Sequence, residues 1–455
     1  MSSTEEITNE VRKTLLQDAI RSGACYALIR TSKIRSRFFQ QSMSAFNRNR
    51  ECRRTIVREI HGEFIKDFEV SEDGKKKEPV IWQQFSRLDL LSPGAEEPLR
   101  CNRSSGSFDD LIPQELPSSW IEPRMEEVLG RFNRYLPAVT YLDTLEDVEM
   151  WSTNGSHQKE IRARALLNVD LAHVGHAAIG FNRRKPVTFG DQHDFVAALQ
   201  SLSEETQDAI SVRRSHNLIT RHRSLPVILA PTAGEFTHEF LGHAFETMAT
   251  HEPLFQIGQR VVGFEAQVFD DPTLPDGFGS RSFDDFGFRT RKRQLVKDGI
   301  VDIGFASPIG SIISSSGNSK PAVRMTNIVV EPGKENLSSY RSSIDRGILI
   351  ERLRSAAFLP STGEVVAEVS EAREISRGEL GDHLGSFNVR SHARDLLHHW
   401  VGNSDICSDH ATLCLTSAGS TPTCTRQSYL YFDQMPIFFG NHAITKIAPD
   451  LSSSL

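Results

Sequence analysis

Apolar positions near the start of the chain recur at helical spacing: Ile7, Val11, Leu15, Leu16, Ala19 and Ile20. Ser22-Gly23 ends that pattern, and Tyr26-Ala27-Leu28-Ile29 follows as a strand-like run. The chain is therefore expected to open helix then strand. Residues 31–70 carry many Arg and Ser and no period that selects an element. Val148-Glu149-Met150-Trp151 and the stretch from Ile161 to Val174 flank Thr153-Asn154-Gly155, a hairpin pattern. Phe195, Val196, Leu199 and Leu202 form a stripe that predicts a helix over residues 193–214.

Two stretches break this texture. From 92 to 123, Pro93, Pro98, Pro113, Pro117 and Pro123 lie among Ser and Gly, which reads as a long irregular connection. From Asn217 to Leu225, Arg221, His222 and Arg223 mark a boundary. Beyond it come short β-type runs: Val227–Ala230, Val261–Phe264, Ile328–Val330 and a weak alternation from Gln427 to Phe432. The pattern predicts an α+β chain of two domains. Residues 1–220 form a helix-plus-sheet domain, and residues 221–455 form a β-rich domain with an embedded helix. No internal repeat of fixed period is present.

Composition narrows the function classes. Hydrophobic residues make up 38% and charged residues 24% of 455, enough apolar material for real cores. Lys plus Arg number 52 against 59 Asp plus Glu, a net charge of −7 that speaks against a dedicated nucleic-acid binder. Six cysteines are too sparse for a disulfide scaffold, and they read as free thiols with room for one metal ligand. No run approaches the roughly 18 apolar residues of a membrane span. The polar start Met1-Ser2-Ser3-Thr4-Glu5-Glu6 lacks the pattern of an export signal, so a soluble cytoplasmic protein is expected.

The informative stretch runs from Pro231-Thr232-Ala233-Gly234 into His238-Glu239-Phe240-Leu241-Gly242-His243. A strand enters a Pro/Gly turn and then a helix expected over Glu235–Thr250. The pattern is HExxxH, one residue longer than the HExxH of common zinc proteases. Histidines five apart on an α-helix point about 140° apart. Both reach one metal only where the helix is locally widened or ends between them. Gly242 would tolerate such a distortion. Two neutral imidazoles and one further donor would hold zinc with an open position, and Glu239 would take a proton from water there. With 16 histidines in the chain, such a pattern also arises by chance.

Around this motif the sequence resembles the TldD/PmbA family of zinc metallopeptidases, once labelled modulators of DNA gyrase. The resemblance rests on Val227-Ile228-Leu229-Ala230-Pro231 with Ala233-Gly234, on HExxxH with Glu246, and on Asp270-Asp271-Pro272-Thr273-Leu274-Pro275. It continues through Gly279-Ser280, Asp284-Asp285-Phe286-Gly287, Arg324-Met325-Thr326-Asn327, Glu331-Pro332-Gly333, Val369-Ser370-Glu371-Ala372 and Val401-Gly402-Asn403. Together these cover most of residues 225–440. The stretch Leu15–Ala27 and the Trp151–Val174 hairpin are more weakly similar. The resemblance implies a Zn2+ site completed by a C-terminal cysteine. Spacing to Val401-Gly402-Asn403 and to Gln427-Ser428-Tyr429-Leu430 favours Cys414, with Cys407 as the runner-up. Cys25, Cys52 and Cys101 are expected to be incidental thiols.

The resemblance further implies hydrolysis of unfolded or short peptides by attack of zinc-bound water. His238, His243 and Cys414 would hold the metal, and Glu239 would act as general base. It implies a homodimer, or a heterodimer with a paralogue that lacks the motif, and no nucleic-acid or membrane partner. Two alternatives compete: a pathway-specific amide hydrolase acting on a small peptide-like metabolite, and a non-catalytic partner of an active paralogue. Glu246 reads either as a hydrogen-bond partner of a ligating imidazole or as an ordinary helix carboxylate. The run Arg289–Arg293 reads as a solvated face, and Asp270, Asp271, Asp284 and Asp285 as turn residues rather than a calcium site. His398, His399 and His410 have no spacing that singles them out as ligands.

Overall fold

The structure is a computed structural model. It describes residues 9–24, 26–42, 46–61, 64–71, 75–83, 114–135, 137–171, 181–212, 214–215, 223–249, 253–302, 323–416 and 419–438. Cys25, Cys101, Arg221, His222 and the prolines at 93, 98 and 113 lie outside the described residues.

The chain opens with α1 (Asn9–Arg21) and four strands, β1 (Tyr26–Gln41), β2 (Phe46–His61), β3 (Phe64–Glu69) and β4 (Val80–Gln83). There follow α2 (Ser118–Phe132), the hairpin β5 (Pro137–Ser152) and β6 (His157–Leu171), then β7 (Phe181–Val187) and α3 (Gln192–Ser211). The strands form one seven-stranded sheet in the order β4-β3-β2-β1-β5-β6-β7. The expected opening helix and strand and the 153–155 hairpin are present, and the helix expected over 193–214 is present but ends at Ser211, with Arg214 already in a strand.

Two departures have clear causes. Most of the described residues of the stretch 31–70 lie in the antiparallel strands β1, β2 and β3, although its sequence shows no strand period. Its inward positions include arginines: Arg30, Arg37 and Arg58 are buried on the sheet, as is Arg162 on β6. Each has a carboxylate partner: Arg30 with Glu146 at 3.0 Å, Arg37 with Asp143, Arg58 with Asp67 at 2.8 Å and Arg162 with Glu160 at 2.7 Å. Charges buried in pairs do not alternate as apolar side chains do. The second departure is α2, which occupies the end of the stretch expected to be irregular and contains Pro123. Ile121, Met125, Val128 and Phe132 recur at helical spacing and pack with Phe195, Leu199, Tyr141 and Leu167, and this burial outweighs the missing proline hydrogen bond.

The second half begins with β8 (Arg214–Ser215) and β9 (Arg223–Leu229) and turns into a short helical segment. That segment comprises α4 (Gly234–Thr237), a π-helical turn (His238–His243) and α5 (Ala244–Glu246). Next come β10 (Val268–Asp270), β11 (Arg293–Lys297), β12 (Ile300–Val301), β13 (Asn327–Val330) and α6 (Leu337–Ser342). The chain continues through β14 (Arg346–Leu359), β15 (Glu364–Ser376), β16 (Glu379–Leu384), β17 (Phe387–His392), α7 (Ala393–His399) and β18 (Trp400–Asn403). It closes with β19 (Ser408–Thr416), β20 (Gly419–Gln427) and β21 (Leu430–Phe438).

One sheet runs β12-β11-β10-β13-β20-β19, and the other runs β14-β9-β21-β17-β15-β16-β8 with β18 on β21. The helical segment shares a core with both: Phe236, Phe240, Leu241 and Phe245 cluster with Val227 and Phe432 and with Val268 and Ile328. Val261 and Val262 are buried, but the expected strand Val261–Phe264 is irregular, because both valines donate to the single carbonyl of Gly299 instead of a ladder. Residues 427–432 belong to two strands, which part at Ser428-Tyr429 where Tyr429 bonds Ser404.

The two halves touch. Tyr26 donates to the Phe286 carbonyl at 2.9 Å, and Arg164 donates to the carbonyls of Phe278 and Ser280 at 2.8 and 2.9 Å. Arg184 on β7 donates to Thr412 Oγ1 at 2.6 Å, two residues from Cys414 on β19.

Candidate metal centre

The strand β9 ends at Leu229, and Pro231 starts a tight turn that feeds α4. The helix then widens over His238–His243, the local π-turn that histidines five apart require. It brings the two imidazoles together, with ring centroids 4.9 Å apart and planes perpendicular. Gly242 serves this turn by close approach rather than by unusual backbone angles. A Cβ there would lie 2.2 Å from Met325 Sδ, and its φ is not in the left-handed region.

The third candidate donor lies on β19. His410, Thr412 and Cys414 alternate along this strand and so share one face. That face lies against the helix, since a Cβ on Gly234 would meet His410 Cβ at 2.7 Å. Cys414 Sγ lies 3.1 Å from His243 Nε2, and donor atoms of His238, His243 and Cys414 all fall within 4.8 Å of one another. Cys407, by contrast, is half-buried at the start of β19 beside Asp409 and Arg426, away from the histidines. Cys424 is buried, and burial pushes its thiol up to about 12. His399 bonds Asp433 at 2.9 Å, outside this group.

The donors suit a metal. His238 Nε2 is buried without a hydrogen-bond partner, while its Nδ1 contacts Thr423 Oγ1 at 3.5 Å. His243 Nδ1 bonds Glu246 Oε2 at 2.8 Å, which leaves Nε2 for a ligand. Two imidazole nitrogens and one sulfur form a donor set that zinc accepts. Glu239 sits beside them, its Oε2 3.9 Å from His243 Nε2 and accepting the Phe358 amide at 2.7 Å.

The electrostatics follow from burial among charges. Burial, with positive His243 and Arg324 nearby, holds His238 well below the usual imidazole range. Burial acts the same way on His243, but Cys414, Glu239 and Glu246 outweigh it and hold His243 well above that range. Burial pushes Glu239 up to about 7 against the opposing pull of His243. Glu246 goes the other way: Arg324 and His243 overcome its burial and lower it.

Sequence reasoning gave Arg324 no role, yet it donates to Cys414 Sγ at 2.8 Å and to Glu246 Oε2 at 3.0 Å. Its place in Arg324-Met325-Thr326-Asn327 was visible, but no spacing links it to a cysteine ninety residues on. The expected turn aspartates divide. Asp271 caps Thr273 and Asp284 accepts the amides of Phe286 and Phe288. Asp270 instead holds Thr326 and pairs with Arg293, and Asp285 lies 3.8 Å from Arg30. Arg289, Arg291 and Lys292 are exposed as expected, and Arg293 opens β11.

The sequence profile of the PmbA/TldA metallopeptidase C-terminal domain matches residues 222–437. Over that region the chain is similar to the PmbA/TldD metallopeptidases. A metalloprotease of Methanocaldococcus jannaschii is 29% identical over 185 residues, 38% of this chain and 41% of that protein. A metalloprotease of Archaeoglobus fulgidus is 26% identical over 212 residues, 43% of this chain and 50% of that protein. The TldD homolog of Buchnera aphidicola, also named a metalloprotease, is 28% identical over 172 residues, 34% and 36% of the two chains. The chain thus spans half or less of the length of these relatives. The fold similarity extends further. TldE from Thermococcus kodakarensis superimposes with a TM-score of 0.65 at 16% identity, over 94% of this chain and 100% of that one. A Thermotoga maritima protein described as a modulator of a DNA gyrase gives 0.68 at 14% identity, over 94% and 99%. The mixed helix-and-sheet fold is therefore shared with these solved structures.

Proposed function

We propose that this protein is a zinc-dependent peptidase acting on unfolded or short peptides. The observation that supports the reading most is the convergence of His238, His243 and Cys414 within 4.8 Å, with the Glu239 carboxylate alongside. His238 through Nε2, His243 through Nε2 and Cys414 through Sγ would hold the ion. Bound there, zinc supplies Lewis acidity, which polarises a peptide carbonyl and makes water more acidic.

Glu239 has the proton-handling role. Its hydrogen bond from the Phe358 amide fixes the carboxylate and leaves lone pairs to accept a proton from water and return it to the departing amine. Glu246 keeps the His243 ring in one orientation through Nδ1. Phe358 lies parallel to the His243 ring at 6.4 Å between centroids and gives the site an apolar wall.

The substrates, the dimer and the setting belong to the same reading. A second copy of the chain or a paralogue would complete an enclosed chamber. We place the protein in the cytoplasm, since Cys52, Cys407, Cys414 and Cys424 are all free thiols. No helix among the described residues is long and apolar enough to cross a membrane. Metal analysis of purified protein, joined to mass-spectrometric identification of products from a peptide library, tests the reading. One zinc per chain with cleaved peptides supports it. Absence of metal, or cleavage of small amides alone, overturns it.

A further inference from the structure

The segment Arg324–Asn327 is tied down at every residue. Arg324 bridges Cys414 Sγ at 2.8 Å and Glu246 Oε2 at 3.0 Å. The Met325 amide donates to Glu246 Oε1 at 2.6 Å, and its sulfur is the group that a Cβ on Gly242 would strike. Thr326 donates to Asp270 Oδ1 through its amide at 2.6 Å and its hydroxyl at 2.8 Å. Asn327 accepts from the Gly279 amide at 2.9 Å and donates to the Asp271 carbonyl at 2.7 Å. A segment held this firmly presents its one guanidinium in a fixed place, and Arg324 is only 3% exposed.

We propose that Arg324 is a positioning residue of the metal centre: its guanidinium joins the Cys414 sulfur and the Glu246 carboxylate in one frame, fixing the third donor relative to His243. The need for such a frame follows from the topology. His238 and His243 share one helical segment, whereas Cys414 arrives on a strand 171 residues beyond His243. A sulfur carried by a separate element keeps its distance from the imidazoles only if something rigid spans the gap. The guanidinium is a planar fork with several donors, so it engages both partners at once. Glu246 in turn orients the His243 ring, so the chain Cys414–Arg324–Glu246–His243 closes on itself around the donor atoms. The hydrogen bond to sulfur also withdraws electron density from a thiolate, which leaves the metal a stronger Lewis acid than the bare donor set would.

This inference rests on the metallopeptidase reading, and the test separates the two. Full-length wild-type, Arg324→Met and Arg324→Lys proteins are loaded with cobalt(II) as a spectroscopic stand-in for zinc, and zinc affinity is measured against a chelator of known strength. Arg324→Met is expected to bind zinc about 10- to 100-fold more weakly, as loss of a partner bonded to a ligand generally does. Its sulfur-to-cobalt charge-transfer band should shift or weaken. Arg324→Lys should recover only part of the affinity, because one ammonium cannot reach both partners. If Arg324→Met does not fold, Glu246→Gln reads the same frame and should move affinity in the same direction. Wild-type zinc binding with unchanged affinity and band in the Arg324 variants overturns the positioning role and leaves the metallopeptidase reading standing. A wild-type protein that binds no metal overturns both.

Discussion

Single residues around the helix carry sharply different roles. Glu239 handles protons in the proposed reaction but is not among the clustered donors. Glu239→Gln should therefore lower peptide hydrolysis by roughly 10²- to 10⁴-fold while zinc content stays at the wild-type level, measured by turnover and elemental analysis on the same sample. Gly242 shows a steric role instead. A methyl there would meet Met325 Sδ, so Gly242→Ala should cost about 1–3 kcal/mol in urea unfolding and also weaken metal binding. A stability equal to wild type would mean that Met325 moves aside without cost.

At the scale of elements, buried ion pairs decide what the strands are. Arg37 and Asp143 bridge β1 and β5 and are 7% and 2% exposed. Asp143→Ala leaves a buried guanidinium without its main partner and should destabilise the protein by about 3–5 kcal/mol in chemical denaturation. Asp170 on β6 offers a pH probe. Burial pushes its carboxyl up to about 6, against the opposing influence of Arg184 and Asn168. The folded state therefore binds its proton more tightly than the unfolded chain, whose aspartates titrate near about 3.9. Its stabilising contribution is full below about pH 4 and is lost as pH rises through 6. Melting temperatures from pH 4 to 7 should fall more steeply for wild type than for Asp170→Asn, and parallel curves would remove Asp170 from the account. These pairs also explain what the sequence could not say about residues 31–70. A buried arginine looks like a surface residue until its partner on another strand is known. The amphipathic helices α1 and α3, whose buried stripes need no such partner, were legible from spacing alone.

On the scale of the whole molecule, the site exists only when the two sheets of the second half have closed on the helix. Cys414 and the histidines meet through β19 and the π-turn, so in the proposed reading metal binding would be linked to folding. Zinc at about 100 times its dissociation constant should add about 2.7 kcal/mol of stability. A strong chelator should lower the melting temperature of wild type but leave Cys414→Ala nearly unmoved; an equal fall in both would place the metal elsewhere. The sequence alone determined the HExxxH motif, the need for a helix that widens or ends between its histidines, the opening helix and strand, the 153–155 hairpin, and a family resemblance that the profile match supports. Those features are local, set by residues a few positions apart and by the geometry of one backbone segment. The tertiary structure placed Cys414 rather than Cys407 beside the histidines, turned Glu246 toward His243, gave Gly242 its steric reason and brought Arg324 to the sulfur. Each of those outcomes depends on contacts between elements far apart in the chain, where register and sheet order set the distance and spacing along the sequence does not.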